Sequence, residues 1–337
     1  MATQVRREHH TVPKLYLRGF CHTKGIAKNM VIARGRTSSD QHLTIKQATV
    51  VTDFYSIDGE PDLLEKLIGD SLENPVGPIM VNLRKGTLPN PGADRATLEV
   101  FIAFQMVRTV AFRELMIELT HHLAPTLFAS DVIQEAVRTN PSLKDGGFDL
   151  AQLAKELAPR TPEAYLEASK ASIMRNMIRE AERLRLLLSK MEWHLSHSVE
   201  ALLVTGDAPV VVTDSSGTVT NTPQTLPELH EVHVPITPHR LLTITSIPRI
   251  GHSQELSATM AQVVNQAIAR NCTEYVFRRP DMDWPSSIVI SRARSHLPAP
   301  AVDVRPSNGP ATQMTWPSLD NQILANAMKL LGGDPDL

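Results

Sequence analysis

The longest helical pattern in the sequence runs from Asp94 to His122, and it constrains the fold more than any other segment. Its apolar residues cover most of the helix circumference, which is typical of a helix buried on nearly all sides. Gln105 and Arg108 interrupt this apolar surface three residues apart, so they share one face. A buried arginine needs a carboxylate or a bound anion beside it. The segment therefore predicts a central helix with a polar site, in which Arg108 holds either a structural ion pair or an anionic ligand.

Two further helices are predicted on either side of this segment. The apolar stripe from Asp62 to Glu73 indicates an amphipathic helix, and a second pattern extends from Pro162 to about His194. Glu65 and Glu73 are eight residues apart, close enough in angle to flank one pocket. The Asn74-Pro75 and Gly77-Pro78 pairs are expected to interrupt or kink the chain that follows. Residues 62–195 are thus predicted to be the helix-rich part.

The remaining apolar segments are short and β-branched, as expected of strands. They lie at residues 29–55 and 200–277, and each is too short to be stable alone. We therefore expect one small, mainly antiparallel sheet built from both regions and an α+β fold. Residues 1–280 are predicted to form a single mixed domain. A proline-rich, irregular tail over residues 281–337 would contain a short helix near residues 320–331.

A polar turn centred on Asp207 separates two apolar runs between Glu200 and Val212. A carboxylate at such a turn lies where active sites are commonly built, so Asp207 is a candidate catalytic residue. The alternative is that Asp207 only caps its turn by accepting hydrogen bonds from nearby backbone N–H groups.

The N-terminal region is basic, with eight lysine and arginine residues against two acidic residues in the first 40 positions. Pro13 can open a helix, with His9 and His10 just before it and Arg18 further along it. Imidazoles and a guanidinium near a helix N-terminus suit a phosphate or carboxylate ligand. The alternative is a solvated basic terminus. Asn265, on a helix predicted from Ser257 to Cys272, is a further candidate for ligand binding.

Composition limits the other classes of function. A formal net charge of −2 argues against bulk attraction to nucleic acid or membrane, although a local basic patch is compatible with it. Cys21 and Cys272 are the only cysteines, so neither a disulfide framework nor a thiolate zinc site is predicted. The sequence lacks an apolar run of membrane-spanning length and an N-terminal apolar signal core, which predicts a cytoplasmic protein. It also lacks the common phosphate-loop, zinc-protease and nucleophile-elbow motifs.

Several motifs, in their order along the chain, resemble the DUF4238 family, a bacterial group without an assigned function. They are HHTVPKLYLRGF from His9, DFY from Asp53, the Glu65/Glu73 helix, AFQMVRT from Ala103, LLVTGDAPVVV from Leu202, VPITPHRLL from Val234 and VNQAIARNCTEYVF from Val263. The resemblance covers roughly residues 8–280. Two motifs depart from the family pattern, with Lys14 where glutamine is usual and Ala208 where an asparagine amide is usual. The latter implies different ligand positioning at the turn.

Two functions are compatible with these residues. The first is a hydrolase of a phosphate-containing substrate, of the metal-assisted phosphodiesterase or nuclease type. The second is a non-catalytic anion-binding or regulatory protein, whose partner is an anionic small molecule or nucleic acid. The candidate residues are His10, Asp207, Glu65 and Glu73 for catalysis, His9, Arg18, Gln105, Arg108 and Asn265 for substrate binding, and Asp207 with His10 for a divalent metal. We expect His10, Arg18, Gln105, Arg108 and Asp207 to converge, because polar groups buried apart from one another would stay unpaired.

Overall fold

A computed structural model describes residues 8–22, 28–52, 54, 68–139, 156–162, 170–200, 202–213, 219–220, 231–247, 255–285 and 288–290. Helices and antiparallel strands both occupy large parts of these ranges, which confirms the α+β fold class. The predicted tail helix near residues 320–331 lies outside the described residues.

The helices lie mainly in the middle of the chain. They are α1 (Lys14–Leu17), α2 (Asn74–Lys85), α3 (Ala93–Val107), α4 (Val110–Thr139), α5 (Lys170–Leu188) and α6 (Ala258–Asn271), with a π-helix over Gly69–Glu73 and 3-10 turns over Arg18–Phe20 and Ala158–Arg160. Helices α3 and α5 pack against each other. Within the described ranges, no helix has both the length and the apolar character that crossing a membrane requires.

The strands flank this helical part in sequence. They are β1 (Glu8–His10), β2 (Met30–Gly35), β3 (Gln41–Thr44), β4 (Val50–Thr52), β5 (Glu192–His197), β6 (Thr205–Gly206), β7 (Val211–Thr213), β8 (Val219–Thr220), β9 (Glu231–Thr237), β10 (Arg240–Thr245) and β11 (Tyr275–Arg278). Their pairing is antiparallel throughout the described strands. The order is β5-β10-β9-β7-β8 in one sheet and β3-β2-β11-β6 in another, while β1 pairs with β4.

The expectation of one small sheet is wrong, because the described strands form three separate sheets. The early and late strand regions do meet, since β2 pairs with β11. The chain changes sheets at Asp207, however, because β6 pairs with β11 whereas β7 pairs with β9. Pro209 lies in this connection and has no N–H to continue a strand ladder. The two apolar runs around Asp207 therefore belong to different sheets.

Three predicted helix boundaries also differ from the structure. The single helix predicted from Asp94 to His122 is divided at Arg108 and Thr109. Helix α2 runs through the expected interruption, because Pro75 lies in its first turn, where an N–H is dispensable, and Pro78 follows inside the helix. The long helix predicted to reach His194 ends at Leu188, and the chain then enters β5.

The N-terminal segment docks on the central strand of the five-stranded sheet. Tyr16 is buried, and its hydroxyl donates a hydrogen bond to the carbonyl of Pro235 in β9. The same oxygen lies 2.9 Å from the hydroxyl of Thr205 in β6. Gly19 approaches the same strand so closely that a Cβ there would be 2.1 Å from the carbonyl oxygen of Ile236. One short segment thus connects two sheets.

Replacing Tyr16 with phenylalanine is expected to lower the free energy of unfolding by about 1–3 kcal/mol, because the Pro235 carbonyl and the Thr205 hydroxyl lose a buried partner. Burial raises the pKa of Tyr16, so the hydroxyl stays protonated and keeps its donor role at neutral pH. Urea denaturation of both proteins measures the difference. An unchanged midpoint would mean that the hydroxyl contributes nothing to the connection between the sheets.

Candidate functional site

Arg108 lies at the break between α3 and α4 and is completely buried. Its backbone leaves helical geometry, with φ −85° and ψ 46°, while its N–H still bonds to the carbonyl of Phe104. The guanidinium Nη1 lies 2.9 Å from Oε1 of Glu73, and Nη2 donates to the backbone carbonyl of His10. The side chain therefore joins α3, the π-helix and β1 at one point.

Glu73 is the last residue of the π-helix that precedes α2. Its side chain remains 24% exposed although its partner Arg108 is 0% exposed. The Glu73 side chain is therefore partly accessible to solvent, whereas the guanidinium that it contacts is not. Short π-helical segments are frequent at functional sites, and this one ends at a carboxylate that contacts Arg108.

Gln105 precedes Arg108 by one helical turn on α3 and is only 2% exposed. Neither its amide nitrogen nor its amide oxygen has a hydrogen-bond partner within the described part of the chain. A buried amide in this condition costs about 1–3 kcal/mol. Such a group is well suited to a ligand or a bound water that both donates and accepts a hydrogen bond.

His9 and His10 are both buried in β1, where adjacent side chains point to opposite faces of the strand. The Nε2 atom of His10 lies 3.1 Å from the carbonyl oxygen of Lys46. The recorded contact between His10 and Arg108 uses the backbone carbonyl of His10 and not its ring. The strand thus holds Arg108 in place through its backbone.

Arg18 is exposed and lies near Arg84 at the end of α2. Glu73 directly precedes the first residue of the same helix, eleven residues before Arg84. At a rise of 1.5 Å per residue, the two ends of α2 are about 16 Å apart. The structure accordingly places Arg18 at the other end of α2 from the contact between Glu73 and Arg108.

Asp207 holds the connection between α6 and β11. Its carboxylate accepts hydrogen bonds from the backbone N–H groups of Thr273 at 2.8 Å, Glu274 at 2.6 Å and Tyr275 at 3.0 Å. Burial raises the pKa of the Asp207 carboxyl group, and the three N–H donors oppose that rise. The contacts correspond to a capping role, although the N–H groups lie 66 to 68 residues away along the chain and not in the local turn.

Asn265 also contacts backbone atoms. Its side-chain oxygen accepts from the N–H of Val204 at 2.9 Å, and its amide nitrogen donates to the carbonyl of Leu202 at 2.7 Å. These bonds fix the chain that enters β6. Asn265 and Asp207 therefore both stabilise connections around the four-stranded sheet.

The recorded contacts thus join Glu73, Arg108 and the backbone of His10, with Gln105 one turn away. Glu65 lies outside the described residues. Within the described ranges, no three histidine, cysteine or acidic side chains are grouped to hold a metal. A metal bound by Asp207 and His10 stays a prediction.

Arg84 was not singled out from the sequence. It lies with Lys85 just before Gly86, a pattern typical of a helix C-terminus, where basic residues offset the helix dipole. In the structure, however, its guanidinium donates to the carbonyl of Leu15 in α1. The sequence feature that could have identified Arg84 is its occurrence in a chain whose N-terminal segment is also basic.

Comparison with known proteins gives one result. Residues 8–282 match the sequence model of a family described as "Protein of unknown function (DUF4238)". Searches of curated proteins and of solved structures gave no match. The matched region spans most of the 337 residues and contains every candidate site residue named above, so the chain belongs to the DUF4238 family.

Proposed function

We propose that the protein is a hydrolase of a phosphate-containing substrate and that Glu73, Gln105 and Arg108 form its reaction centre. The observation that supports this proposal best is the buried amide of Gln105, which has no partner among the described residues. An apolar side chain of similar volume would avoid the free-energy cost of that amide. A substrate or a reacting water that forms hydrogen bonds with the amide would offset this cost. Such a ligand explains why residue 105 is a glutamine.

The three side chains have complementary chemistry. The guanidinium of Arg108 supplies a fixed positive charge that suits a phosphoryl oxygen. The partly exposed carboxylate of Glu73 is placed to accept a proton from an attacking water. The water oxygen then bonds to phosphorus, the ester P–O bond breaks, and the leaving oxygen takes up a proton. The amide of Gln105 donates to the phosphoryl group or orients the water.

A divalent metal remains part of the proposal, as an activator of water or as a counter-charge for the phosphoryl group. The sequence nominates Asp207 and His10 as its ligands. In the structure both oxygens of Asp207 accept backbone N–H bonds, and the ring of His10 faces the Lys46 carbonyl. Activity is therefore best measured with Mg²⁺, with Mn²⁺ and with a chelator. A cytoplasmic location also belongs to this proposal.

A second function, non-catalytic anion binding, is favoured by the ion pair itself. The carboxylate of Glu73 already occupies one side of the Arg108 guanidinium, 2.9 Å away. An anionic ligand could replace this carboxylate without any bond being broken in the ligand. The two functions share a site and differ in whether product is formed.

Replacing Gln105 with methionine is the sharpest test of the proposed centre. The variant is expected to raise the free energy of unfolding by about 1 kcal/mol, because it removes a buried amide that has no partner among the described residues. Turnover of bis(4-nitrophenyl) phosphate or of a single-stranded oligonucleotide should fall about tenfold or more. Denaturant titration and product release measure the two effects on the same preparation. If this variant retained full turnover, Gln105 would not be part of the reaction centre.

Glu73→Gln is a second test of the proposed centre. Turnover of the variant should fall about a hundredfold if the carboxylate of Glu73 accepts a proton from water. The matched control is Glu180→Gln on α5, where Glu180 forms an ordinary ion pair with Arg183. The control should retain full turnover. Substrate binding without product formation by the unmodified protein would favour the anion-binding function instead.

A further inference from the structure

A group of basic side chains lies at the C-terminal end of α2, about 16 Å from Glu73 by the helix rise. We name it the α2 basic cluster, and its members are Arg18, Arg84, Lys85 and Arg240. Arg18 comes from the 3-10 turn after α1, and Arg240 is the first residue of β10. Among the described residues, none of the four has a carboxylate within ion-pair distance. Within the described part of the chain, these four positive charges therefore have no carboxylate partner.

Helix capping accounts for only one of these side chains. Gly86 ends α2 with φ 96°, and the Arg240 guanidinium lies directly over it, with Nη1 2.7 Å from where a Cβ of residue 86 would be. Arg240 donates to the carbonyl of Arg84 at 3.0 Å and to that of Lys85 at 3.4 Å. Arg240 therefore already supplies a hydrogen-bond donor to the carbonyls at the end of α2.

Arg84 has its own contacts with the N-terminal segment. Its Nη2 donates to the carbonyl of Leu15, and its Nε lies 3.7 Å from the position of a Cβ on Gly19. That Nε is buried and has no hydrogen-bond partner in the described part of the chain. Burial, followed by the nearby charge of Arg18, lowers the pKa of Arg84. The two arginines therefore repel each other, and a bound anion would relieve that repulsion.

We infer that the α2 basic cluster binds a phosphate group, supplied either by a small phosphorylated molecule or by a nucleic-acid backbone. Phosphate fits better than a single carboxylate because it carries more than one negative charge or several strong acceptor oxygens. Planar guanidinium groups match its geometry. Arg18 is exposed and therefore accessible to a ligand, whereas Arg84 is held in position by its hydrogen bond to the carbonyl of Leu15. This site is independent of turnover at Gln105.

The test measures binding of inorganic pyrophosphate by calorimetry and of a fluorescein-labelled twelve-nucleotide oligothymidylate by anisotropy. The variant is Arg18→Gln, because Arg18 is exposed and its loss should leave folding intact. The matched control is Arg179→Gln on α5, which removes an exposed positive charge elsewhere. We expect the first variant to weaken binding about tenfold and the control to leave it unchanged.

Competition and salt dependence separate the two sources of phosphate. If pyrophosphate displaces the oligonucleotide, the cluster recognises the phosphate group alone. If the oligonucleotide binds and pyrophosphate does not displace it, the backbone is the ligand, and Arg18→Gln should reduce the slope of log affinity against log salt by about one. Equal affinities for Arg18→Gln and Arg179→Gln, or no binding of either probe, would overturn the inference.

Discussion

Replacing Arg108 with methionine is expected to lower the free energy of unfolding by about 3–5 kcal/mol. The guanidinium is completely buried and is the recorded link between the carboxylate of Glu73 and the carbonyl of His10. Its removal would leave a charged carboxylate and a buried carbonyl without that donor, although the 24% exposure of Glu73 places the loss near the lower end of this range. Urea or guanidinium denaturation followed by circular dichroism measures it.

The matched control is Arg183→Met on α5. Arg183 also pairs with a glutamate, Glu180, at 2.6 Å, but its side chain is 37% exposed. Exposed pairs of this kind contribute about 0–1 kcal/mol, so the control should remain near the unmodified protein. If both variants lost the same small free energy, Arg108 would not be the structural centre that its contacts indicate.

Replacing Asp207 with alanine is expected to lower the free energy of unfolding by about 2–3 kcal/mol, because three backbone N–H donors lose their acceptor. The N–H of Glu274 lies at an exposed residue and can turn to water, which limits the loss. Asp207→Asn should cost less than alanine, because it retains one acceptor oxygen. Denaturant titration of the two variants measures the order.

The same pair of variants decides between the two roles of Asp207. A backbone cap predicts a loss of stability in both variants, with hydrolysis per folded molecule unchanged. If Asp207→Asn instead abolished hydrolysis at full stability, Asp207 would be a catalytic residue, as the sequence also allowed.

The regular elements late in the chain could be predicted because their signals are local. The sequence predicts a helix that begins at Ser257, and in the structure the Ser257 hydroxyl accepts a hydrogen bond from the N–H of Met260 at 3.2 Å at the start of α6. The short, β-branched segments near Val234 and Leu241 likewise predict strands, which are β9 and β10 in the structure. In these segments the local sequence preferences agree with the final fold.

The break between α3 and α4 could not be predicted, because no proline or glycine marks it in the sequence FIAFQMVRTVAFREL. The break coincides with tertiary contacts of Arg108. Arg108 must reach Glu73, 35 residues earlier, and the carbonyl of His10, 98 residues earlier. Periodicity describes one helix at a time and contains no information about such partners.

The candidate site was only partly accessible for the same reason. A cation in an apolar helix indicates that Arg108 needs a partner, and that partner includes Glu73, which is itself a candidate site residue by sequence. The turn at Asp207 gave no sign that its carboxylate would bind N–H groups 66 to 68 residues further along the chain. Polarity predicts that a group has partners, and only the fold determines which ones.

The docking of Tyr16 on β9 has a consequence for biosynthesis. The hydroxyl of Tyr16 and the carbonyl of Pro235 are 219 residues apart, and Gly19 packs on the same strand. At about 5–20 residues per second, the ribosome needs on the order of ten seconds or more to make the intervening chain. Throughout that interval the apolar residues of the N-terminal segment cannot pack against β9, because the strand has not yet been synthesised. A nascent chain stalled before residue 230 should therefore be a chaperone substrate, and one stalled well after residue 285 should be protease-resistant near Tyr16.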